Sequence, residues 1–157
     1  MTALILGVDP GRKGALALID DEGRLVDVHD MPDATGAALG ALIRVLLADH
    51  APHTVKVAWV EQVGSMPGQG HMNVFTFGAG YGALLGALGA LGVPVELRTP
   101  NVWKKAMRVT RDKAGSRQRA AELWPSEAAR FARVKDDGRA EACLIAEYGR
   151  RCGKGTA

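Results

Sequence analysis

The stretch that decides the fold covers residues 3–30, ALILGVDPGRKGALALIDDEGRLVDVHD. Its first apolar run, 3–8, ends at the turn signal Asp9-Pro10-Gly11, and a second run, 14–19, ends at an acidic turn. Residues 24–30 then alternate between apolar and polar side chains. The pattern predicts three consecutive antiparallel strands joined by two turns.

The next segment of the sequence, residues 37–60, predicts a helix that crosses over to a strand parallel to the first. Leucine and isoleucine recur at helical spacing between residues 37 and 47, and Pro52 closes that helix. Residues 55–60 are rich in β-branched side chains and alternate, which predicts a fourth strand beside the first. One face of this strand is expected to carry Val55, Val57 and Trp59.

Residues 74–95 contain no charged side chain, a length that could cross a bilayer. Glycine and alanine dominate this run, and it closes in a turn and a strand-like segment, which favours a soluble helix and a fifth strand over a membrane span. Gly78, Gly82 and Gly86 are spaced four apart, which predicts a close approach of this helix to its own sheet or to a second copy.

The last third of the sequence predicts helices separated by polar stretches. Thr99 is a favourable N-cap and Pro100 is favourable at the first helical position, so together they predict the start of a helix. The predicted helices cover residues 101–107, 114–123 and 140–151. We therefore expect an α/β fold in which a five-stranded mixed sheet, with its first three strands antiparallel, is flanked by helices on both faces. A length of 157 residues predicts a single domain over 1–157.

Charge is distributed unevenly along the chain. Residues 1–97 hold 5 Lys and Arg against 10 Asp and Glu, whereas residues 98–157 hold 15 against 7, so the net charges are −5 and +8. The basic half indicates an anionic partner. Cys143 and Cys152 form no CxxC motif, which predicts reduced thiols and, with no leader-like segment at the start, a cytoplasmic protein.

Carboxylates follow three of the predicted elements. Asp9 ends the first strand, Glu61 ends the fourth, and Asp137 with Glu141 opens the last helix. Parallel neighbouring strands would bring Asp9 and Glu61 to one sheet edge, and residues four apart share a helix face. Oxygen-only clusters suit Mg²⁺ or Mn²⁺, and a pair of such ions supports phosphodiester hydrolysis.

Each acid also has a plainer interpretation. Asp9 could be only a turn residue, and Glu61 could be a solvated strand end. Asp136 or Asp137 could be an N-cap, and Glu141 a first-turn charge that the helix dipole favours. Independent caps would not be expected to converge at one sheet edge.

GVDPGRKGALALID, VEQV and DDGRAEACLIAEYG together resemble the RuvC-type Holliday-junction resolvases of the ribonuclease H-like superfamily, and more closely their bacteriophage branch. The resemblance runs from about Leu4 to Arg150. It implies that the acids of the first strand, the fourth strand and the last helix are Asp9, Glu61 and Glu141. The bacterial pattern ends in Asp-x-x-Asp, but Gly138 stands three residues before Glu141. The fourth acid is then Asp137, which shares a helix face with Glu141, or Asp136.

The resemblance also implies roles for the basic half. Lys104 matches the family's lysine near the scissile phosphate, and Lys113 matches a second basic position; either could stabilise charge that develops on the phosphate. A solvated charged face is the alternative for this segment. The DNA contacts expected from the sequence are Arg12, Lys13, Met66, Lys104, Lys105, Arg108, Arg111, Lys113 and Arg117.

The loop after Glu61 departs from the bacterial members, which carry an aromatic residue shortly after the glutamate. Here the sequence is Gly64-Ser65-Met66, so Met66 is the candidate wedge between bases. Phe75 and Phe77 are alternative wedges, or else pack in the core at the start of the second helix.

The sequence thus predicts a Mg²⁺-dependent endonuclease that binds four-way DNA junctions as a homodimer and nicks paired strands, with Mn²⁺ able to replace Mg²⁺ and with no membrane or nucleotide cofactor. Two alternatives stay open: a broader nuclease for flaps or RNA–DNA hybrids, and a non-catalytic junction binder. GVDPGRKG also resembles the first phosphate loop of ATP-binding modules of the actin or sugar-kinase type, but those need two such domains, and the length predicts only one.

Overall fold

The chain folds around a five-stranded mixed sheet with the strand order β3-β2-β1-β4-β5. This computed structural model describes residues 2–32, 36–64 and 71–154. The strands are β1 (Ala3–Asp9), β2 (Ala15–Asp20), β3 (Leu25–Asp30), β4 (Thr54–Glu61) and β5 (Val95–Arg98). β1, β2 and β3 pair antiparallel, whereas β4 pairs parallel with β1 and with β5. The predicted sheet is confirmed.

Five α-helices and two 3₁₀ helices complete the described part of the chain. The helices are α1 (Gly36–Asp49), α2 (His71–Ala90), α3 (Pro100–Ala106), α4 (Gly115–Leu123) and α5 (Asp137–Lys154). The 3₁₀ helices cover Pro125–Phe131 and Val134–Asp136, where the sequence indicated only a polar stretch. None of the helices described is long and apolar enough to span a membrane.

The helices lie on both faces of the sheet, as expected, and enclose two apolar cores. On one face, α1 and α2 pack Ile43, Leu84 and Leu88 on alternate residues of the central strands. On the other face, α3, α4 and α5 contribute Trp103, Ala120 and Leu144. Strand residues alternate between these cores because successive side chains of a strand point to opposite faces.

The prediction that Val55 shares a face with Val57 and Trp59 is wrong. The pairing of β1 with β4 shifts between Leu4, which faces Val55, and Ile5, which faces Val57, so Lys56 is the extra residue of a β-bulge. Val57 and Trp59 pack on the α5 side, whereas Val55 packs on the α1 side.

The glycines of α2 do not contact their own sheet. A Cβ at Gly78, Gly82 or Gly86 would meet no atom of the described residues within 4 Å. The helix instead packs through alanines: Ala83 and Ala87 face Gly36 and Gly40 of α1. Of the two close approaches that the sequence allowed, the one to the chain's own sheet is therefore wrong.

Two glycines bring α5 against the centre of the sheet. A Cβ at Gly7 of β1 would overlap the backbone of Ala142 and Ala146, and a Cβ at Gly138 would overlap the carbonyl oxygen of Lys13. Only glycine permits such backbone contact. The first turn of α5 therefore lies directly on the turn between β1 and β2.

Candidate active site

The predicted acids Asp9 and Glu61 lie side by side at one edge of the sheet. Val8 pairs with Val60 in the parallel register, so the next residues, Asp9 and Glu61, are neighbours at the strand ends. Both continue the strand positions of Gly7 and Trp59, which pack against α5. The two carboxyl groups therefore share the face of the sheet that α5 covers.

Glu141 lies near both acids. Its charge raises the pKa of Asp9 and of Glu61, so the three carboxylates repel one another. Burial is the larger cause, however: it contributes most to raising the pKa of Asp9 to about 6 and that of Glu61 to about 7. Each acid also accepts one hydrogen bond that opposes the rise, Asp9 from the Gly11 N–H (3.1 Å) and Glu61 from the Trp103 indole (2.8 Å).

Lys104 is the cation among these carboxylates. Its Nζ donates to Glu141 Oε1 at 2.7 Å, and its charge also lowers the pKa of Asp9 and of Glu61. Ser116 Oγ donates to the same Glu141 oxygen at 2.9 Å. The ammonium group thus offsets negative charge contributed by three separate elements.

Asp137 lies one helical turn before Glu141, and it also lines the cleft described below. Its Oδ1 accepts a hydrogen bond from Arg117 Nε at 2.7 Å. Asp136 differs: it is 1% exposed, and its carboxylate accepts hydrogen bonds from the Arg133 backbone and guanidinium. Asp136 therefore caps the 3₁₀ helix that precedes α5, and Asp137 is the better placed of the two candidates.

The contact of Gly138 with the turn leaves no room for an acid at that position. An Asp-x-x-Asp pattern that ends at Glu141 would place its first acid there, but any side chain at 138 would overlap the Lys13 carbonyl. Asp137, one residue earlier, lines the cleft.

A cleft of about 1130 Å³ opens over these acids. Asp9, Asp137 and Glu141 line it together with Ser116 and a set of cations. Those cations are Lys13, Lys104, Lys105, Arg108, Arg111 and Lys113. Apart from Lys104, none of them forms an ion pair with another described residue. A groove with an acidic floor and basic walls suits a phosphate polyanion.

The local fold explains how the basic wall is presented. Arg108 follows the end of α3 with a φ of 57°, a left-handed conformation that glycine usually adopts. Asp112 then accepts hydrogen bonds from Thr110 Oγ1 (2.6 Å) and the Ala114 N–H (2.9 Å), which closes the loop. The loop leaves Arg111 and Lys113 exposed on the cleft.

Some predicted contacts are placed elsewhere. Arg117 pairs with Asp137 and is not among the residues that line the cleft, and Arg12 is exposed outside that lining. Met66 lies outside the described residues. Phe75 is 74% exposed, so its predicted core packing is wrong, whereas Phe77 is less exposed and stacks on Tyr81 with the ring centroids 6.2 Å apart.

Sequence reasoning missed two contacts within this site. The hydrogen bond from Trp103 to Glu61 and that from Ser116 to Glu141 join residues 42 and 25 positions apart. The sequence did contain a sign of the Trp103–Glu61 bond: Trp103 directly precedes Lys104, and a buried indole N–H needs an acceptor.

The carboxylates of this site are the ligand type that binds hard cations, but they are not arranged as a ready metal site. Carboxylate oxygens are the ligands that Mg²⁺ and Mn²⁺ prefer, and Lys104 stands among them as a positive charge. In the described residues, no three Asp, Glu, His or Cys side chains have the arrangement of a metal site. Glu141 and Asp137 are instead engaged by Lys104 and by Arg117.

Solved structures share this architecture. Thermus thermophilus RuvC superimposes with a TM-score of 0.65 at 22% identity, over 96% of each chain. T. thermophilus RuvC in complex with a Holliday junction substrate gives 0.64 at 20% identity, again over 96% of each chain. The fold is that of RuvC. No family model and no curated protein matches the sequence.

The RuvC fold is ribonuclease H-like, which confirms the fold expected from the sequence. The match covers nearly all of both chains, so it includes β1, β4 and α5, the elements that carry the acids. At this level of identity the likeness establishes the architecture, while the roles of individual side chains depend on the contacts described above.

Proposed function

We propose that this protein is a metal-dependent endonuclease that resolves four-way DNA junctions by nicking paired strands. The observation that carries the proposal is the convergence of Asp9, Glu61 and Glu141, of which Asp9 and Glu141 line a cleft walled by cations, in a chain with the RuvC fold. A similar fold has been solved with a Holliday junction substrate bound, which supports branched DNA as the ligand.

The acids would hold Mg²⁺, with Mn²⁺ as a substitute. Asp9, Glu61, Asp137 and Glu141 are the candidate ligands, and the bound ions would activate water and stabilise the leaving oxygen. Burial and mutual repulsion keep Asp9 and Glu61 poorly suited to carry their charges alone, which favours a cation between them. Lys104 already bonds one of these acids, so it is placed to neutralise charge beside the phosphate.

The basic wall would hold the DNA backbone. Lys13, Lys105, Arg108, Arg111 and Lys113 line the cleft without ion-pair partners among the described residues, so they are available to phosphates. Contacts of this kind position a duplex but do not select a base sequence. We therefore expect recognition of junction shape, with Lys113 as a second cation near the cut.

A homodimer would supply the second cut. The face of α2 that carries Gly78, Gly82 and Gly86 is open, uncharged and flanked by the exposed Phe75, which suits close packing against a second copy. This face lies across the sheet from the cleft, because α2 packs in the core opposite that of α3 and α5. A two-fold axis would place two clefts on symmetric strands of a four-way junction.

The decisive experiment compares substrates. Purified protein is incubated with a labelled four-way junction, a linear duplex, a flap and an RNA–DNA hybrid, in Mg²⁺ or in EDTA. Metal-dependent paired nicks confined to the junction are expected. Equal cutting of the flap or hybrid would indicate the broader nuclease, and tight junction binding without any cleavage would indicate a non-catalytic binder.

A further inference from the structure

We infer that Trp103 is a positioning residue that holds Glu61 by one oxygen and reserves the other for the bound cation; this inference rests on the proposed function. Trp103 is 0% exposed, and its Nε1 donates to Glu61 Oε2 at 2.8 Å. This bond is the only side-chain hydrogen bond that Glu61 makes to another described residue. Glu61 is 8% exposed, and its other oxygen, Oε1, accepts no side-chain hydrogen bond from the described residues.

The chemistry of the indole explains the division. An indole N–H donates a hydrogen bond and never accepts one, so Trp103 can hold Glu61 only by donating to Oε2. A cation bound by this acid would then be held through Oε1, which has no such donor. Groups that hold metal ligands in this way orient them, and their removal weakens metal binding.

The surroundings of Trp103 give the donor a fixed position. Helix α3 begins two residues after β5 ends, and the ring packs in the core that also contains Met107 and Ala120. The next residue, Lys104, bonds Glu141 from the same helix turn. Two consecutive residues of α3 therefore hydrogen-bond the acids of β4 and α5.

A purely structural role is the competing explanation, because any buried N–H needs an acceptor. The chain contains a matched example of that role. Trp124 is also buried, and its Nε1 donates to the backbone carbonyl of Gly23 at 2.9 Å, with no acid of the cleft involved. The two tryptophans differ in the acceptor, so the pair isolates what the contact with Glu61 adds.

The test measures Mn²⁺ binding by calorimetry, together with thermal unfolding, for Trp103→Phe and Trp124→Phe. Both variants lose one buried hydrogen bond, and both are expected to be destabilised. We expect Mn²⁺ affinity to fall about 10-fold in Trp103→Phe and to stay at the wild-type value in Trp124→Phe. Equal affinities in wild type and Trp103→Phe, or equal losses in the two variants, would overturn the inference.

A measurement on the unmutated chain covers the case in which Trp103→Phe does not fold. The indole N–H groups of the three tryptophans give separate NMR signals, which Trp124→Phe and Trp59→Phe assign. Titration with Mg²⁺ should move the Trp103 signal and leave that of Trp124 in place. A Trp103 signal that stays fixed at saturating Mg²⁺ contradicts the positioning role.

These results separate the inference from the proposed function. A wild-type protein that neither binds Mn²⁺ nor nicks a junction refutes the function itself. A wild-type protein that does both, with Trp103→Phe indistinguishable from it, refutes only the role of Trp103.

Discussion

Two groups of buried acids in this protein have opposite electrostatic surroundings. Asp20, Asp136 and Glu147 are bonded by arginine: Arg24 for the first, Arg133 for the second, and Arg150 with Arg151 for the third. Burial acts to raise the pKa of Asp20 and Glu147, but the arginine bonds hold it below the usual value. For Asp136 the Arg133 side chain is the largest influence and lowers the pKa.

Asp9 and Glu61 are also shielded from water, but no described lysine or arginine bonds to either, and burial raises their pKa values to about 6 and about 7. Arginine is abundant in the chain, so the absence of such a partner at this one sheet edge distinguishes it from the structural acids. The comparison indicates that acids which hold the fold together come with a bonded arginine, whereas Asp9 and Glu61 have no bonded cation among the described residues and leave room for one from solution.

The largest expected effect is on catalysis. Asp9→Asn keeps the size of the side chain and an acceptor for the Gly11 N–H but removes the charge. We expect junction cleavage to fall by about three orders of magnitude or more, as is usual for a residue of the reacting site, while junction binding in EDTA is retained. Gel-shift and single-turnover cleavage assays measure the two quantities. Cleavage at the wild-type rate would place Asp9 with the structural acids.

Lys104 sharpens the comparison because it is the cation that bonds a cleft acid. Lys104→Ala should slow cleavage by roughly 10²- to 10³-fold, because a charge beside the phosphate is lost, and should leave binding near the wild-type value. Lys105→Ala, a neighbour on the wall of the same cleft, is the control and should weaken binding while sparing the cleavage rate of bound DNA. If the two variants behave alike, Lys104 is only a backbone contact.

Asp136 and Asp137 stand next to each other in the chain and are both bonded by arginine, but only Asp137 lines the cleft. Asp136→Asn should lower the free energy of unfolding by roughly 1–2 kcal/mol, because the buried carboxylate loses its charged hydrogen bonds with the exposed Arg133, and should leave the cleavage rate of the folded protein intact. Asp137→Asn should change stability by less than about 1 kcal/mol, since its pair with Arg117 is half-exposed, yet reduce metal-dependent cleavage. Denaturant unfolding and cleavage assays on both variants test this; a reversed result would make Asp136 the ligand.

The smallest expected effect is a pH-dependent difference in stability. The folded-state pKa of Asp9 lies above its ordinary value of 3.8, so its contribution is favourable below about pH 4 and is lost as the pH rises through about 6. In EDTA, the stability of Asp9→Asn relative to wild type should therefore increase as the pH rises from about 4 to about 6 and remain higher above that, by on the order of 2 kcal/mol. Mg²⁺ should remove the difference by stabilising only the wild type. Thermal melts of both proteins at several pH values measure this stability difference. A difference that stays constant across the pH range would contradict the claim that burial raises the pKa of Asp9.

Much of this arrangement was predictable from the sequence, for physical reasons. The strand ends at Asp9 and Glu61 follow from apolar runs and turn signals, and their adjacency follows from a helix crossover between parallel strands. The position of Asp137 and Glu141 at the start of the last helix follows from their spacing, although α5 begins at residue 137 rather than 140.

Other features depend on contacts between distant residues. The bulge at Lys56 changes the face of Val55, and no local pattern marks it. Arg117 pairs with Asp137, and Arg133 pairs with Asp136. These pairings depend on side-chain positions that are set by the packing of the helices and not by the local sequence. The open glycine face of α2 was one of two possibilities until Ala83 and Ala87 were seen to make the contact with α1.

The contact between Gly138 and the Lys13 carbonyl also limits how this site can change by mutation. A side chain cannot enter position 138 unless the turn over residues 11–14 moves away, and that turn begins at Asp9 itself. A side chain at position 138 would therefore need a matching rearrangement of a turn more than 120 residues away in the chain. We expect a substitution at position 138 to be tolerated only together with a change in that turn.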